Sequence, residues 1–292
     1  MRGIVTRGVG GFYYVLDAGG NTHELRAQAK IRRARVTPMV GDRVEFEPGS
    51  GGGDGWLKAV LPRESALRRP PVANIDAVVV VVAAAAPSPD LMMADRLLIA
   101  ARRGGIVPIL VVNKRDLNPE AAEEILRQYR GAEVMPFAVS ARSGEGVERL
   151  REALVGKVHA LAGQSGAGKS TLLNALHGFS LETGDVSQRI ERGRHTTRHV
   201  SLIPVAGGGM ALDTPGFSLF ETELLDPVLL KDSYPEFAPH EGKCFFSPCY
   251  HDSEPRCAAR RAVDEGEIDK NRYGRYRALL EEMKLRWRDR YG

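Results

Sequence analysis

The sequence contains few cysteines and no long apolar segment. Only 3 of the 292 residues are cysteine, and all three lie between Cys244 and Cys257. This excludes the disulfide framework of a small secreted domain. The longest apolar run, residues 77–86, is far shorter than the ~20 residues that cross a bilayer, and residues 1–3 begin no signal-peptide stretch. We therefore expect a cytoplasmic protein that does not bind a membrane.

A strong excess of one charge sign is also missing, since the net charge is only +4. The charge is unevenly distributed, however. Residues 1–72 carry 12 basic against 7 acidic side chains, and residues 256–292 carry 11 against 7, which leaves a net −5 for the middle. Positive ends favour contact with a polyanion, and solvated surface charge explains the same pattern equally well.

The chain divides into three parts by composition. Hydrophobic residues make up 43% and charged residues 27%, as in ordinary globular proteins. About 65 N-terminal residues form five short apolar runs broken by glycine, which predicts a five-stranded OB-type barrel, a fold whose usual ligands are nucleic acids or oligosaccharides. From residue 75, buried strands alternate with amphipathic helices, which indicates an α/β domain. We place the domains at residues 1–68, 69–225 and 226–292, with an Arg- and Pro-rich linker at residues 62–71.

A glycine-rich segment follows one predicted strand and opens a helix. It matches G-x-x-x-x-G-K-S, in which glycines allow backbone N–H groups to turn toward phosphate oxygens at a helix N-terminus. Lys169 is expected to reach the β- and γ-phosphates, and the Ser170 hydroxyl to ligate Mg²⁺. The predicted phosphate-binding residues are Gly163, Gln164, Ser165, Gly166, Ala167, Gly168, Lys169, Ser170 and Thr171.

Two further motifs indicate a guanine base. Asn113, Lys114 and Asp116 form N-K-x-D after a strand that ends at Val112. The Asp116 carboxylate can accept hydrogen bonds from N1–H and the N2 amino group of guanine, whereas adenine offers no such pair of donors. Lys114 can cover the purine face, and Asn113 can tie its loop to the phosphate loop. Ser140 and Ala141, at another strand end, can offer a backbone N–H to guanine O6.

The elements that sense the γ-phosphate follow the phosphate loop. Asp213 and Gly216 form D-x-x-G; Asp213 is expected to hold Mg²⁺ through water, and the Gly216 N–H to contact the γ-phosphate. The polar loop at residues 192–197 can supply a threonine ligand for the magnesium ion, either Thr196 or Thr197.

The residue that activates water is not obvious from these motifs. Phe217 stands where Ras-type enzymes place a glutamine, and an apolar ring cannot orient water. His195 is the best catalytic candidate, while a histidine that merely lies on a loop has equal weight on this ground alone.

The order of the motifs is unusual. N-K-x-D and Ser-Ala come before the phosphate loop, whereas small GTPases have them after D-x-x-G. This order predicts a circularly permuted GTPase domain, which the close termini of compact domains allow. The chain then passes from the γ-phosphate sensor directly into the Cys/His segment, so nucleotide state is expected to act on that segment.

The last motif is a metal-binding pattern. Three cysteines and one histidine lie within fourteen residues, and a Cys₃His set suits tetrahedral Zn²⁺ with no open position for catalysis. One structural zinc ion is therefore expected on Cys244, Cys249, His251 and Cys257, in a mainly helical C-terminal domain.

Taken together, these motifs resemble the bacterial ribosome small-subunit-dependent GTPase A family over essentially the whole chain. The resemblance implies a monomer that binds GTP and GDP, contacts the small ribosomal subunit and its rRNA, and acts in late subunit maturation with hydrolysis stimulated by the subunit. It also implies that His195 assists hydrolysis, with Lys169 on the phosphates.

The sequence departs from that family at two positions. Ala167 and Arg198 stand where Val and a third Thr are common, and the second departure leaves the metal-binding threonine open. Two alternatives to the implied function are an rRNA-binding factor whose GTP site only regulates affinity, and an enzyme acting on RNA or tRNA, for which the sequence has no further catalytic motif.

Overall fold

The protein is described by a computed structural model, which covers residues 1–33, 36–49, 55–68, 70–179, 200–213 and 226–291. Within this part of the chain no helix is both long and apolar enough to cross a membrane.

The N-terminal domain is a closed five-stranded barrel, as predicted. Its elements are β1 (Arg2–Val9), β2 (Phe12–Asp17), β3 (Thr22–Ala27), α1 (Ala29–Arg33), β4 (Arg43–Glu47) and β5 (Gly55–Val60). The strands run β1-β2-β3-β5-β4, and β4 pairs again with β1 to close the barrel. Alternate side chains point inward, so Val5, Val15, Leu25, Val44 and Leu57 are all at most 1% exposed.

The segment predicted as a linker is partly ordered structure. β6 (Ala66–Arg68) and β7 (Pro71–Ala73) form an antiparallel hairpin, in which Val72 is fully buried and pairs with Val40 of the barrel domain. The Asn74 amide donates to the Gly41 carbonyl at 2.9 Å. The linker interpretation was wrong for the residues of this hairpin. It relied on the many prolines and arginines of the segment, whereas the few apolar residues that become buried determine its structure.

The central domain is a six-stranded sheet covered by helices. Its strands are β8 (Ala77–Ala83), β9 (Val107–Asn113), β10 (Met135–Ala138), β11 (Val158–Ala162), β12 (Ser201–Pro204) and β13 (Met210–Asp213), in the order β10-β9-β8-β11-β13-β12. Strands β8, β9, β10, β11 and β13 run parallel to one another, and β12 runs antiparallel to β13. Every residue of β8 is buried, as expected for a strand with helices on both faces. The α/β prediction is confirmed, although the sequence did not indicate β12.

Four helices join these strands, and their ends follow local sequence signals. They are α2 (Leu91–Arg103), α3 (Pro119–Gln128), α4 (Val147–Leu154) and α5 (Lys169–His177). The Asp90 and Asn118 side chains accept backbone N–H groups at the starts of α2 and α3, which satisfies donors that a helix leaves unpaired.

The C-terminal part is mainly helical, as predicted. Three short 3₁₀ helices (Pro227–Leu229, Lys231–Ser233 and Pro235–His240) precede α6 (Ala258–Asp264) and α7 (Lys270–Tyr291). Its core is aromatic, because the Tyr276 ring lies 5.0 Å from that of Tyr234 and 4.7 Å from that of Phe237, both edge to face.

A buried ion cluster joins α2 to α7. The Asp95 carboxylate, on a residue only 1% exposed, accepts from Arg272 at 2.7 Å and from Arg275 at 2.6 Å. Glu236 pairs with Arg272, and the Tyr129 hydroxyl donates to Asp95 at 2.7 Å. Separating α2 from α7 would leave these buried charges without partners, which is strongly destabilising. The cluster therefore holds the C-terminal part against the sheet domain.

Candidate nucleotide site and metal centre

Three of the predicted motifs and the first residue of a fourth, D-x-x-G, lie at one edge of the sheet. β9 ends at Asn113, β10 is followed by Ser140, β11 leads into Gly163 and β13 ends at Asp213. These strands are parallel, so their carboxyl ends lie at the same edge. The motifs therefore lie close together in space, although they follow a permuted order along the chain.

Asn113 connects three of these loops. Its side-chain N–H donates to the Ala167 carbonyl at 2.9 Å, and its side-chain oxygen accepts from the Ala141 N–H at 3.0 Å. The residue is 2% exposed, so both bonds are shielded from water. The contact with the phosphate loop that the sequence predicted for Asn113 is present.

The Ser-Ala loop differs from the expectation in one respect. The Ser140 N–H donates to the Glu145 carbonyl at 2.9 Å, and the Ala141 N–H is bound to Asn113. Both N–H groups predicted to offer a bond to guanine O6 therefore have acceptors within the chain, and base binding would require one of them to be shared or exchanged.

Lys114 and Asp116 lie on the same loop with different surroundings. Lys114 has a positive φ of 63°, and its ammonium group donates to the Gly166 carbonyl at 2.8 Å and to the Ala86 carbonyl. Its aliphatic stem is thus placed beside the phosphate loop. Asp116 is exposed, which leaves its carboxylate accessible to a ligand.

The phosphate loop requires glycine at two tight positions. A Cβ at Gly163 (φ +140°) would lie 2.1 Å from the Val81 carbonyl oxygen, and one at Gly168 (φ +90°) would lie 2.4 Å from the Asn113 amide nitrogen. Lys169, at the start of α5, donates to the carbonyls of Gly163 and Gln164, each at 2.8 Å. Burial lowers the pKa of the Lys169 ammonium, and an anionic phosphate beside it would stabilise the charged form and oppose this shift.

Gln164 has a role that the sequence did not indicate. Its side-chain amide donates to the Ser88 carbonyl at 2.9 Å, and its side-chain oxygen accepts from the Asp90 N–H at 2.5 Å. Asp90 caps α2, so Gln164 ties the phosphate loop to the helix that holds the buried ion cluster. Motif spacing carries no signal for this contact, because position two of the loop accepts any residue.

Several predicted residues lie outside the described part of the chain. These are the catalytic candidate His195, the two candidate magnesium ligands Thr196 and Thr197 (the switch threonines), and Gly216 with the adjacent Phe217. Ser170 and Thr171 occupy the first turn of α5 and are partly exposed. Ser165 is exposed on the phosphate loop.

Two histidines pair beneath the phosphate loop. His159 of β11 is fully buried, and its Nε2 lies 2.9 Å from Nε2 of His177 at the end of α5. His159 Nδ1 faces the Lys157 carbonyl at 3.3 Å. A carbonyl only accepts, so Nδ1 carries the proton of His159 and His177 donates to its Nε2. Burial first, and the neighbouring His159 second, lower the pKa of His177 to about 4.

This pair predicts a pH dependence of stability. Between pH 6.5 and about 4 the unfolded chain binds a proton at His177 that the folded chain does not, so the free energy of unfolding falls as pH falls through this window. In His177→Gln, which keeps a donor, stability should decline less steeply over the same window. Urea unfolding at several pH values tests this. Equal slopes in the two proteins would contradict it, and His23→Gln is the matched control.

Four potential metal ligands converge in the C-terminal part. The ligand atoms of Cys244, Cys249, His251 and Cys257 all lie within 4.8 Å of one another. The Cys257 sulfur is 3.9 Å from that of Cys244 and 3.8 Å from that of Cys249, and His251 Nδ1 is 3.6 Å and 3.5 Å from the sulfurs of Cys244 and Cys257. Around a tetrahedral zinc ion, sulfurs lie about 3.8 Å apart and sulfur and nitrogen about 3.6 Å apart. The cluster therefore fits a tetrahedral ion of this size.

The surroundings of the cluster support metal binding. His251 Nε2 lies 2.7 Å from a Glu241 oxygen, the arrangement that orients a ligating imidazole and directs its other nitrogen to a metal. Backbone N–H groups of His251 and Ala258 donate to the sulfurs of Cys249 and Cys244 at 3.4 and 3.3 Å. Burial raises the pKa of the Cys249 and Cys257 thiols, so a bound cation is needed to hold them as thiolates.

Comparisons with known proteins cover the whole chain. The model of the RsgA GTPase family matches residues 60–223, and that of the RsgA N-terminal domain matches residues 2–57. Small ribosomal subunit biogenesis GTPase RsgA 1 of Listeria monocytogenes is 40% identical over 98% of each chain. The protein of that name from Ruminiclostridium cellulolyticum is 42% identical over 97% of this chain and 93% of its own.

Two solved structures have the same fold. YjeQ from Thermotoga maritima has a TM-score of 0.83 at 35% identity and covers 97% of this chain and 98% of its own. YloQ, described as a circularly permuted GTPase, has a TM-score of 0.79 at 29% identity and covers 98% of this chain and 95% of its own. The similarity spans the barrel, the permuted sheet domain and the C-terminal part, so the permuted fold predicted from motif order is confirmed.

Proposed function

Because the chain belongs to the RsgA GTPase family and hydrolyses GTP, we propose that it acts on the maturing small ribosomal subunit in the cytoplasm, with hydrolysis stimulated by that subunit. The names of its relatives support the subunit as partner. The observation that carries a nucleotide-dependent role is the convergence of the permuted motifs at one sheet edge, with Asn113 bonded to both neighbouring loops.

We propose the following roles at the nucleotide site. The N–H groups of the phosphate loop and the Lys169 ammonium bind the phosphates, and Asp116 selects guanine. Ser170, Asp213 and one of the two switch threonines hold the Mg²⁺ that accompanies GTP, while Gly216 contacts the γ-phosphate. His195 assists the attack of water. In this scheme Asn113 acts by positioning, because its two bonds fix the base-binding loop relative to the phosphate loop.

The barrel provides a surface suited to ribosomal RNA. On its outer face Arg7 is paired in register with Tyr14, and Arg26 is paired with both Phe12 and Trp56. The Arg7 guanidinium lies 4.0 Å from the centre of the Tyr14 ring, and that of Arg26 lies 4.6 Å from the Phe12 ring. Alternating arginine and aromatic side chains bind phosphates and stack on bases, which supports contact with RNA through this face.

The rival function is an RNA-binding factor whose GTP site only regulates affinity. Single-turnover GTP hydrolysis by the full chain, measured alone, with small subunits and with complete ribosomes, separates the two. We expect slow hydrolysis alone and faster hydrolysis with small subunits. Unchanged hydrolysis together with nucleotide-dependent subunit binding would favour the rival. The oligomeric state, which we propose to be monomeric, is checked by light scattering of the same sample.

We also propose that the metal is a single structural zinc ion. Three thiolates and one imidazole fill a tetrahedral shell, so no position remains for catalysis. The Tyr273 hydroxyl donates to the His251 carbonyl at 2.8 Å and that of Tyr276 donates to the Tyr250 carbonyl. The segment that carries the four ligands, residues 244–257, which we call the metal loop, is thereby anchored to α7.

Removing one ligand should abolish metal binding. Cys249→Ser is expected to lose the ion and to increase hydrogen exchange in residues 244–264, because the short loop has few apolar contacts of its own. GTP binding should persist, since it depends on a separate core. Metal analysis and hydrogen exchange of the purified chain test this, with Glu241→Gln expected to weaken metal affinity about 10- to 100-fold. Wild-type protein without zinc would contradict the proposal.

A further inference from the structure

Two adjacent phenylalanines are unusually exposed on the metal loop. Phe245 is 64% exposed and Phe246 is 44% exposed, and their ring centres lie 5.0 Å apart at 80°. They directly follow the ligand Cys244. Two neighbouring apolar rings in water are costly, and such a patch commonly marks a binding surface.

The loop holds these rings in place. Cys244 and Cys249 lie on either side of the pair, and the Phe245 N–H donates to the Arg256 carbonyl at 3.3 Å. Metal binding would fix both flanks. Little conformational entropy would then be lost when a ligand contacts the rings, which favours binding.

The charges beside the rings are positive. The Arg256 guanidinium lies 5.0 Å from the centre of the Phe245 ring, and Lys243 is exposed two residues before Phe245. Within the described residues, neither Lys243 nor Arg256 has a carboxylate at ion-pair distance. The surface around the pair therefore presents cations that no described acidic side chain neutralises.

The nearby carboxylates are occupied elsewhere. Glu241 pairs with Lys231 at 2.8 Å and with His251 at 2.7 Å. Asp252 pairs with Arg277 at 2.7 Å and with Lys284 at 3.2 Å. Glu254 accepts the backbone N–H groups of Tyr250 and Asp252 at 2.7 and 2.9 Å. Glu241 and Asp252 thus have lysine or arginine partners of their own, and Glu254 is bound to the backbone of the loop, so none of the three forms an ion pair with Lys243 or Arg256.

We propose that Phe245 and Phe246 form a stacking site for unpaired RNA bases, with Lys243 and Arg256 binding the adjacent phosphates. Flat apolar rings among cations match a base joined to an anionic backbone, whereas an apolar protein surface would meet unpaired positive charge. This inference rests on the proposed contact with ribosomal RNA, and it adds a second RNA site, on the metal loop and separate from the barrel face.

The test uses the full metal-loaded chain and an unpaired RNA of about eight nucleotides containing 4-thiouridine. Trypsin cleaves after Lys243 and after Arg256, so one peptide, residues 244–256, contains both phenylalanines and no other cleavage site. We expect light-induced crosslinks in this peptide. Phe245→Ala/Phe246→Ala should reduce its crosslink yield at limiting protein about 5- to 150-fold at unchanged metal content.

Matched variants separate stacking from a folding defect. Phe245→Trp/Phe246→Trp should retain crosslinking, because indole rings stack at least as well. Leu229→Ala, which truncates another exposed apolar residue of the C-terminal part, should have no effect. Crosslinking of the double alanine variant at the wild-type level would overturn the proposal, whether or not that variant still binds small subunits. Failure of the wild-type chain to bind small subunits, with the crosslinks intact, would instead contradict the proposed function and leave the stacking site in place.

Discussion

Asp116→Asn is expected to weaken GTP binding about 30- to 1000-fold and to improve binding of xanthosine triphosphate. The carboxylate is the one proposed group that accepts both donors on the guanine edge, and loss of such a charge-assisted pair costs about 2 to 4 kcal/mol. Xanthine has an acceptor where guanine has an amino group, so an amide donor suits it better. Asp116 is exposed, so the substitution should leave the fold intact.

Competition binding with the two nucleotides measures this change. Glu120→Gln, an exposed substitution in the first turn of α3, is the control for removal of a negative charge in the same domain. An unchanged preference for GTP in the Asp116 variant would show that another group reads the base. The Ser140 and Ala141 N–H groups would not be the first to consider, because both already have acceptors within the chain.

His195→Ala is expected to lower subunit-stimulated GTP hydrolysis about 10²- to 10⁴-fold at saturating GTP, with little change in GTP affinity. Groups that position or deprotonate attacking water contribute this much. Phe217, at the position of the usual glutamine, cannot do so. His195 adjoins the proposed switch threonines, and the resemblance to the GTPase family supports it over a passive loop residue.

Stimulated single-turnover hydrolysis tests this role. Lys169→Ala should lose phosphate binding as well, because its ammonium group lies inside the phosphate loop. His199→Ala is the matched control, since it removes a second histidine from the same segment. Full stimulated activity in His195→Ala would assign the chemistry elsewhere, to Arg194, to His199, to a backbone group or to the ribosome.

The sequence predicted those features that depend on local chemistry. Helix α2 begins after Asp90 and ends before Gly104, because a capping carboxylate and a glycine act within a few residues. The phosphate loop, N-K-x-D and the Cys₃His pattern were recognisable for the same reason, since each needs particular residue types at fixed spacing. Even the circular permutation followed from motif order alone, because the sheet needs only the same strands and not the same starting point.

The tertiary structure alone decided which distant residues meet. No spacing rule relates Gln164 to Asp90, Glu241 to His251, or Asp95 to Arg272 and Arg275, and each contact joins elements that only the fold brings together. Strand β12 and the hairpin of β6 and β7 were also missed, because these strands are only three or four residues long. Each also pairs with the barrel domain, where Val72 meets Val40 and Ser201 meets Arg7, and no local signal shows these distant pairings. Local chemistry thus determined the motifs and the family, while long-range packing determined how the phosphate loop, through Gln164 and α2, is joined to the metal-binding part of the molecule.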